Sequence, residues 1–117
     1  MTNKYNARKT EIDGYTFDSK AEANRYWELR ELEKNGDITD LRVHPKYLIL
    51  DSFMYRGHKV GQTHYIADFE YQEKSKVFID HWHTVVEDVK GVETAVFRIK
   101  AKLFKYCYPN IDFRVVR

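Results

Sequence analysis

Charged side chains set into an apolar stretch constrain this chain more than any other feature. The stretch is Val85-Val86-Glu87-Asp88-Val89-Lys90-Gly91. Its β-branched residues predict a short strand ending at Gly91. Alternate side chains of a strand share a face, so Val86, Asp88 and Lys90 point one way and Val85, Glu87 and Val89 the other. An acid and a lysine two apart, at the end of an apolar strand, sit side by side at the rim of a sheet. As structure alone the pair is a half-exposed surface ion pair, worth under about 1 kcal/mol. A second stretch repeats the theme. Tyr65-Ile66-Ala67-Asp68-Phe69-Glu70-Tyr71 places Asp68 between Ala67 and Phe69, on the face of Ile66. A carboxylate there is costly to bury unless it is paired or metal-bound, whereas at a strand end it can stay in water.

The surroundings predict what these strands belong to. Thr10-Glu11-Ile12, Asp13-Gly14 and Tyr15-Thr16-Phe17 have the form of a tight hairpin, Asp-Gly supplying the positive φ angles. Ser19 to about Asn35 is a helix, opened by a capping signal and stopped at Asn35-Gly36. Strands are expected at Tyr47–Leu50, Phe53–Tyr55 and Thr63–Tyr71, with Val77–Ile79 pairing onward, and then at Val85–Lys90. A second helix spans Thr94 to Tyr106, Pro109-Asn110 ends it, and Ile111–Val116 is a last strand. The order hairpin-α-β-β-β-α-β predicts an α/β fold, a mixed sheet flanked by helices. At 117 residues this is one domain, residues 10–117, preceded by a basic flexible arm, residues 1–9.

Composition excludes several classes. The longest uninterrupted apolar run is Tyr47 to Leu50, far short of the roughly 20 residues that a membrane helix needs. No apolar stretch follows the start, so neither a signal peptide nor a membrane contact is expected, and a cytoplasmic location is. The single Cys107 excludes an internal disulfide and any Cys-pair zinc motif. The net charge of +2 is unevenly spread. Residues 1–10 carry +3 from Lys4, Arg8 and Lys9, residues 98–117 carry +5, and residues 11–97 hold −6. Basic ends suit a polyanion such as nucleic acid, and an acidic middle suits one only where its acids hold metal. The alternative is charge that simply solvates the surface.

Each helix adds a candidate. Ser19-Lys20-Ala21-Glu22 fits a capping box, in which Glu22 reaches back to the Ser19 N–H. Glu22 also shares a face with Tyr26 and Leu29, which aims it at the sheet. On the second helix Phe97, Ala101, Phe104 and Tyr108 form an apolar face, extended by Val96, Leu103 and Cys107. Arg98, Lys102 and Lys105 gather opposite, a stripe suited to phosphates. Lys100 falls inside the apolar arc and either points toward the sheet or snorkels along the helix.

Taken together, Ser19-Lys20-Ala21-Glu22-Ala23, Ala67-Asp68-Phe69 and Glu87-Asp88-Val89-Lys90-Gly91 before a basic second helix resemble the PD-(D/E)XK nuclease superfamily. More narrowly they are similar to its small phage-borne proteins, distantly similar to Holliday junction resolvases. The resemblance covers residues 4–117 and implies a restriction-endonuclease-like core. It implies a metal-dependent endodeoxyribonuclease that hydrolyses phosphodiester bonds in duplex or branched DNA, in phage recombination or replication. A homodimer and the cytoplasm of a bacterial host are implied with it. By the same resemblance Asp68 matches the first strand acid, Asp88 and Lys90 the (D/E)-x-K, and Glu22 the first-helix acid. Lys100 takes the place from which such nucleases aim a polar residue. Ala67 stands where the motif name has proline, and Glu87 precedes Asp88, so the spacing to Lys90 selects Asp88.

Asp68, Asp88 and Glu22 would then bind Mg²⁺ or Mn²⁺, ions that favour oxygen ligands. Lys90 would position or deprotonate the attacking water. Lys4, Arg8, Lys9, Arg98, Lys102 and Lys105 would hold the DNA backbone without reading bases. Two other readings stand beside this one. One is a non-catalytic DNA-binding accessory protein with a nuclease-like fold. The other is a zinc module built from His81 and His83 with His44, His58 or His64.

Overall fold

The computed structural model describes residues 9–117. Lys4 and Arg8, assigned to the basic arm, lie outside the described residues, and Lys9 is exposed. The chain opens with a hairpin of β1 (Thr10–Ile12) and β2 (Tyr15–Phe17), turned by Asp13 and Gly14 at φ 53° and 82°. Helix α1 (Lys20–Lys34) follows, with the Ser19 side chain accepting the Glu22 N–H at its N-cap. It stops at Asn35, after which Gly36 takes φ 81°.

The central sheet has four strands: β3 (Ile38–Val43), β8 (Phe69–Lys74), β9 (Trp82–Val89) and β10 (Asp112–Val116). Their order is β10-β9-β8-β3, with β10 parallel to β9 and the other pairs antiparallel. Antiparallel ribbons fill the segment between β3 and β8. One joins β4 (Lys46–Leu50) to β7 (Thr63–Ile66), and another joins β5 (Phe53–Tyr55) to β6 (His58–Val60). Helix α2 (Ala95–Cys107), capped by Thr94, leads into β10.

Adjacent residues of β9 show how the layers stack. Val85 packs with Tyr26, Leu29, Phe69 and Tyr71, the core beneath α1. Val86 packs with Ala67, Phe97, Ala101 and Phe104, the core beneath α2. Neighbouring strand residues point to opposite faces, so the helices cover opposite sides of the sheet. The molecule is therefore a mixed α/β sandwich. The α2 face matches its sequence arc at Phe97, Ala101 and Phe104, but Val96 and Cys107 are exposed.

Three expectations about strands need correction. β3 was not anticipated, because a register shift between Thr39 and Arg42, with Asp40 at φ 56°, breaks its alternation. Thr63–Tyr71 is not one strand: it divides at Ala67-Asp68 into β7 and β8. Val77–Ile79 forms no strand. The Ser75 Oγ accepts the N–H groups of Val77 and Phe78, which turns the chain between β8 and β9.

Phe104 is fully buried, with the rings of Tyr47, Tyr108, Phe113 and Tyr65 at 4.9, 5.1, 5.4 and 5.5 Å. A Phe104→Ala change leaves a cavity that these rings cannot close. It should cost about 3–5 kcal/mol in urea unfolding.

Candidate metal centre

The alternation of β9 sorts the two acids of Glu87-Asp88 onto opposite faces. Glu87, wholly buried, points beneath α1. There Arg25 Nε and Nη2 each donate to it at 2.7 Å and the Tyr71 hydroxyl donates as well. The carboxylate is neutralised in place. The Glu87 partner in turn pushes the Arg25 pKa upward.

Asp88 points beneath α2 and is 2% exposed. Its Oδ2 accepts from the Tyr65 hydroxyl, which burial and the carboxylate keep protonated. Its Oδ1 lies 3.1 Å from Lys90 Nζ. The ammonium approaches outside hydrogen-bonding alignment, so Oδ1 is buried without a hydrogen-bond partner among the described residues. The contact is Coulombic. Lys90 is in turn held over the Phe97 ring at 4.9 Å, and its N–H donates to the Val116 carbonyl at 2.9 Å.

Asp68 occupies the break between β7 and β8, and the break pins it. Its N–H donates to the Glu87 carbonyl at 3.1 Å, and its Oδ2 accepts the Val89 N–H at 2.7 Å. Burial pushes the Asp68 carboxyl up to about 8. The neighbouring Asp88 and Glu22 carboxylates add to this, against the lowering effect of the Val89 N–H.

Glu22 arrives from the first turn of α1 and is 5% exposed. Half of the expected capping box forms, since Ser19 accepts the Glu22 N–H at 3.1 Å. The Glu22 carboxylate turns instead to His44, with Oε1 2.7 Å from Nε2. His44 takes φ 55° after β3, and its N–H donates to the Asp68 carbonyl at 2.9 Å. One ligand atom each from Glu22, His44 and Asp68 lie within 4.8 Å of one another.

Four sequence candidates, Glu22, Asp68, Asp88 and Lys90, thus occupy one region. Lys100 lines an open cavity of about 300 Å³ together with Asp88, Lys90, His64 and Tyr65. A somewhat larger cavity, about 370 Å³, lies between the end of α1 and β8, lined by Leu32, Asp37 and Lys74. It holds none of the candidate residues, whereas the smaller one is lined by Asp88, Lys90 and Lys100; Glu22 and Asp68 line neither. Arg98, Lys102 and Lys105 are exposed on α2. The histidine pair expected for zinc does not assemble: His81 is exposed, and His83 faces Glu73 and Asp112 at 3.4 and 3.8 Å. Among the described residues, the one trio of candidate ligand atoms is that of Glu22, His44 and Asp68. His44, expected only as a zinc ligand, instead stands beside Glu22. No local pattern marks it, because its partner is 22 residues away.

The chain belongs to a family described as protein of unknown function (DUF1064), whose model matches residues 2–117. Neither the curated proteins nor the solved structures contain a match to it.

Two measurements follow from this geometry. The folded Asp68 carboxyl holds its proton far more tightly than its ordinary value of 3.8. Its contribution to stability is therefore complete below about pH 4 and lost as pH rises through about 8. With chelator present, the melting temperature should fall between pH 5 and 9, and Asp68→Asn should flatten that fall. Arg25→Ala strands a buried Glu87. It should cost about 3 kcal/mol in chemical denaturation, the low end for buried pairs because Arg25 is partly exposed.

Proposed function

We propose that the chain is a divalent-metal-dependent DNA endonuclease built on a restriction-endonuclease-like core. The observation that carries this reading is the convergence of Glu22, His44 and Asp68 ligand atoms within 4.8 Å of one another, with Asp88 near enough to act on Asp68 and itself 3.1 Å from the Lys90 ammonium. A mixed sheet with one helix on each face supports the core assignment. The residues fit a cation. Asp88 Oδ1 is buried without a hydrogen bond among the described residues, and burial, followed by repulsion from the neighbouring carboxylates, raises Asp68. Oxygen donors suit Mg²⁺ or Mn²⁺, and the His44 imidazole beside them suits Mn²⁺. Asp68, Asp88 and Glu22 would hold the ion, with His44 as a further ligand or as the group that orients Glu22. Such an ion supplies Lewis acidity at a phosphoryl oxygen and a more acidic water.

The chain's own residues do the rest. Tyr65 fixes the Asp88 carboxylate in one rotamer by hydrogen bonding. Phe97 seats the Lys90 ammonium, which orients the attacking water and offsets charge that builds on the phosphate. Water oxygen forms the new bond to phosphorus, the ester P–O bond breaks, and a proton passes to the departing alkoxide. Lys100 offers a second cation across the same cavity. Arg98, Lys102, Lys105 and Lys9 would hold backbone phosphates, with Lys4 and Arg8 added by sequence. Branched DNA is the candidate substrate and a homodimer the candidate assembly.

The test is nicking of plasmid and junction DNA with Mg²⁺ or Mn²⁺. Asp88→Ala should abolish cutting. Lys90→Ala should lower it on the order of 10²-fold or more, with DNA binding retained in both variants. Wild-type rates in both would overturn the mechanism. Binding without cutting by the native chain would favour the accessory-protein reading.

A further inference from the structure

The ribbon that walls the cavity continues beyond it. β4 and β7 pair from Lys46↔Ile66 to Leu50↔Thr63, and β5 and β6 carry on with Phe53↔Val60 through Tyr55↔His58. The base of this hairpin lies under α2, where Ile49 and Tyr65 are buried. The outer half packs on none of the other described elements closely enough to be covered: every residue from Phe53 to Val60 is exposed. A two-stranded ribbon without a packed face is marginal in water.

Its chemistry is one-sided. Between Asp51 and Asp68 the chain has no acid. Arg56, His58 and Lys59 cluster at the tip. Phe53 and Tyr55 share one ribbon face with their partners Val60 and His58, and Lys59 lies on the other with Met54, so the arm carries an aromatic face and a cation on opposite sides. The two turn residues, Arg56 and Gly57, have φ 49° and 84°, the tight hairpin turn in which asparagine sits more easily than arginine. Arg56 therefore accepts an unfavourable backbone conformation and places a cation at the outermost point of the arm.

We propose that the β5–β6 arm is a DNA-binding element that grips duplex DNA beside the cavity. Its cations complement the phosphates, and a two-stranded ribbon has the width that the major groove admits. Tyr55 and Phe53 supply the apolar surface for sugar and base edges. The arm springs from β7, whose His64 and Tyr65 line the cavity with Asp88 and Lys90, so DNA held by the arm passes the candidate centre. The inference rests on the nucleic-acid reading of that centre for the identity of the polyanion, and on the arm's own residues for the contact.

The test is anisotropy titration of a labelled 20-base-pair duplex in EDTA, where binding is read without cleavage. Arg56→Ala/Lys59→Ala should weaken binding roughly tenfold to fiftyfold near 0.1 M salt and reduce the salt slope by about 2. The melting temperature should stay unchanged, because both side chains are exposed. Tyr55→Ala should weaken binding without altering the slope. Wild-type affinity and slope in the double variant would overturn the proposal. So would an arm that joins two copies instead, seen as a dimer that Phe53→Ser and Tyr55→Ser dissociate while DNA affinity holds. The two readings separate cleanly. A wild type that binds through the arm but never cuts removes the nuclease and keeps the arm, whereas cutting with arm-independent binding does the reverse.

Discussion

The arrangement of this protein depends on one buried charge being satisfied so that another can be left unsatisfied. Glu87 is fully enclosed and accepts from Nε and Nη2 of Arg25 together with the Tyr71 hydroxyl. Such a pair adds little net stability over an apolar replacement, but it resists displacement strongly, because either partner alone would be an uncompensated charge. It ties α1 to the middle of β9. Arg25 and Glu22 are three residues apart on one helix, and Glu87 and Asp88 are adjacent on one strand. The tie that fixes the first pair thus sets the spacing of the second.

On the other side of β9 the bookkeeping is deliberately incomplete. Asp88 has one oxygen held by Tyr65 and the other 3.1 Å from the Lys90 ammonium, without a hydrogen bond among the described residues. Asp68 is partly stabilised by the Val89 N–H but raised overall by burial and by its acidic neighbours. Ordinary surface ion pairs, such as Lys34 with Glu31, involve exposed groups and need no such support. A half-buried cluster of acids with few cations beside it is held together by the rest of the sandwich. Such strained groupings of titratable side chains concentrate at functional sites.

Much of this was legible from local pattern. The Asp-Gly hairpin, the Ser19 cap, the Asn35-Gly36 stop and the apolar face of α2 are all signals confined to a few consecutive residues. Period-two alternation also separated Glu87 from Asp88. What escaped depends on irregularity or distance. The bulge at Asp40 hid β3 by breaking its period. The break at Ala67-Asp68 looked like continuous strand because Ile66, Phe69 and Tyr71 all favour β structure. Val77-Phe78-Ile79 has strong strand propensity, yet the Ser75 hydroxyl captured its N–H groups for a turn. His44 gained its role from Glu22 and Asp68, neither of which is its neighbour in sequence.

The parallel placement of β10 carries a consequence for how the centre is completed. Lys90 is fixed in part by its N–H bond to the Val116 carbonyl, and β9 gains its second neighbour only from β10. Until β10 docks, β9 lacks its second neighbour and the Lys90 N–H lacks the Val116 carbonyl. The surroundings of Asp88 and Lys90 are therefore completed by the last strand of the sheet in chain order, not by the local folding of β9.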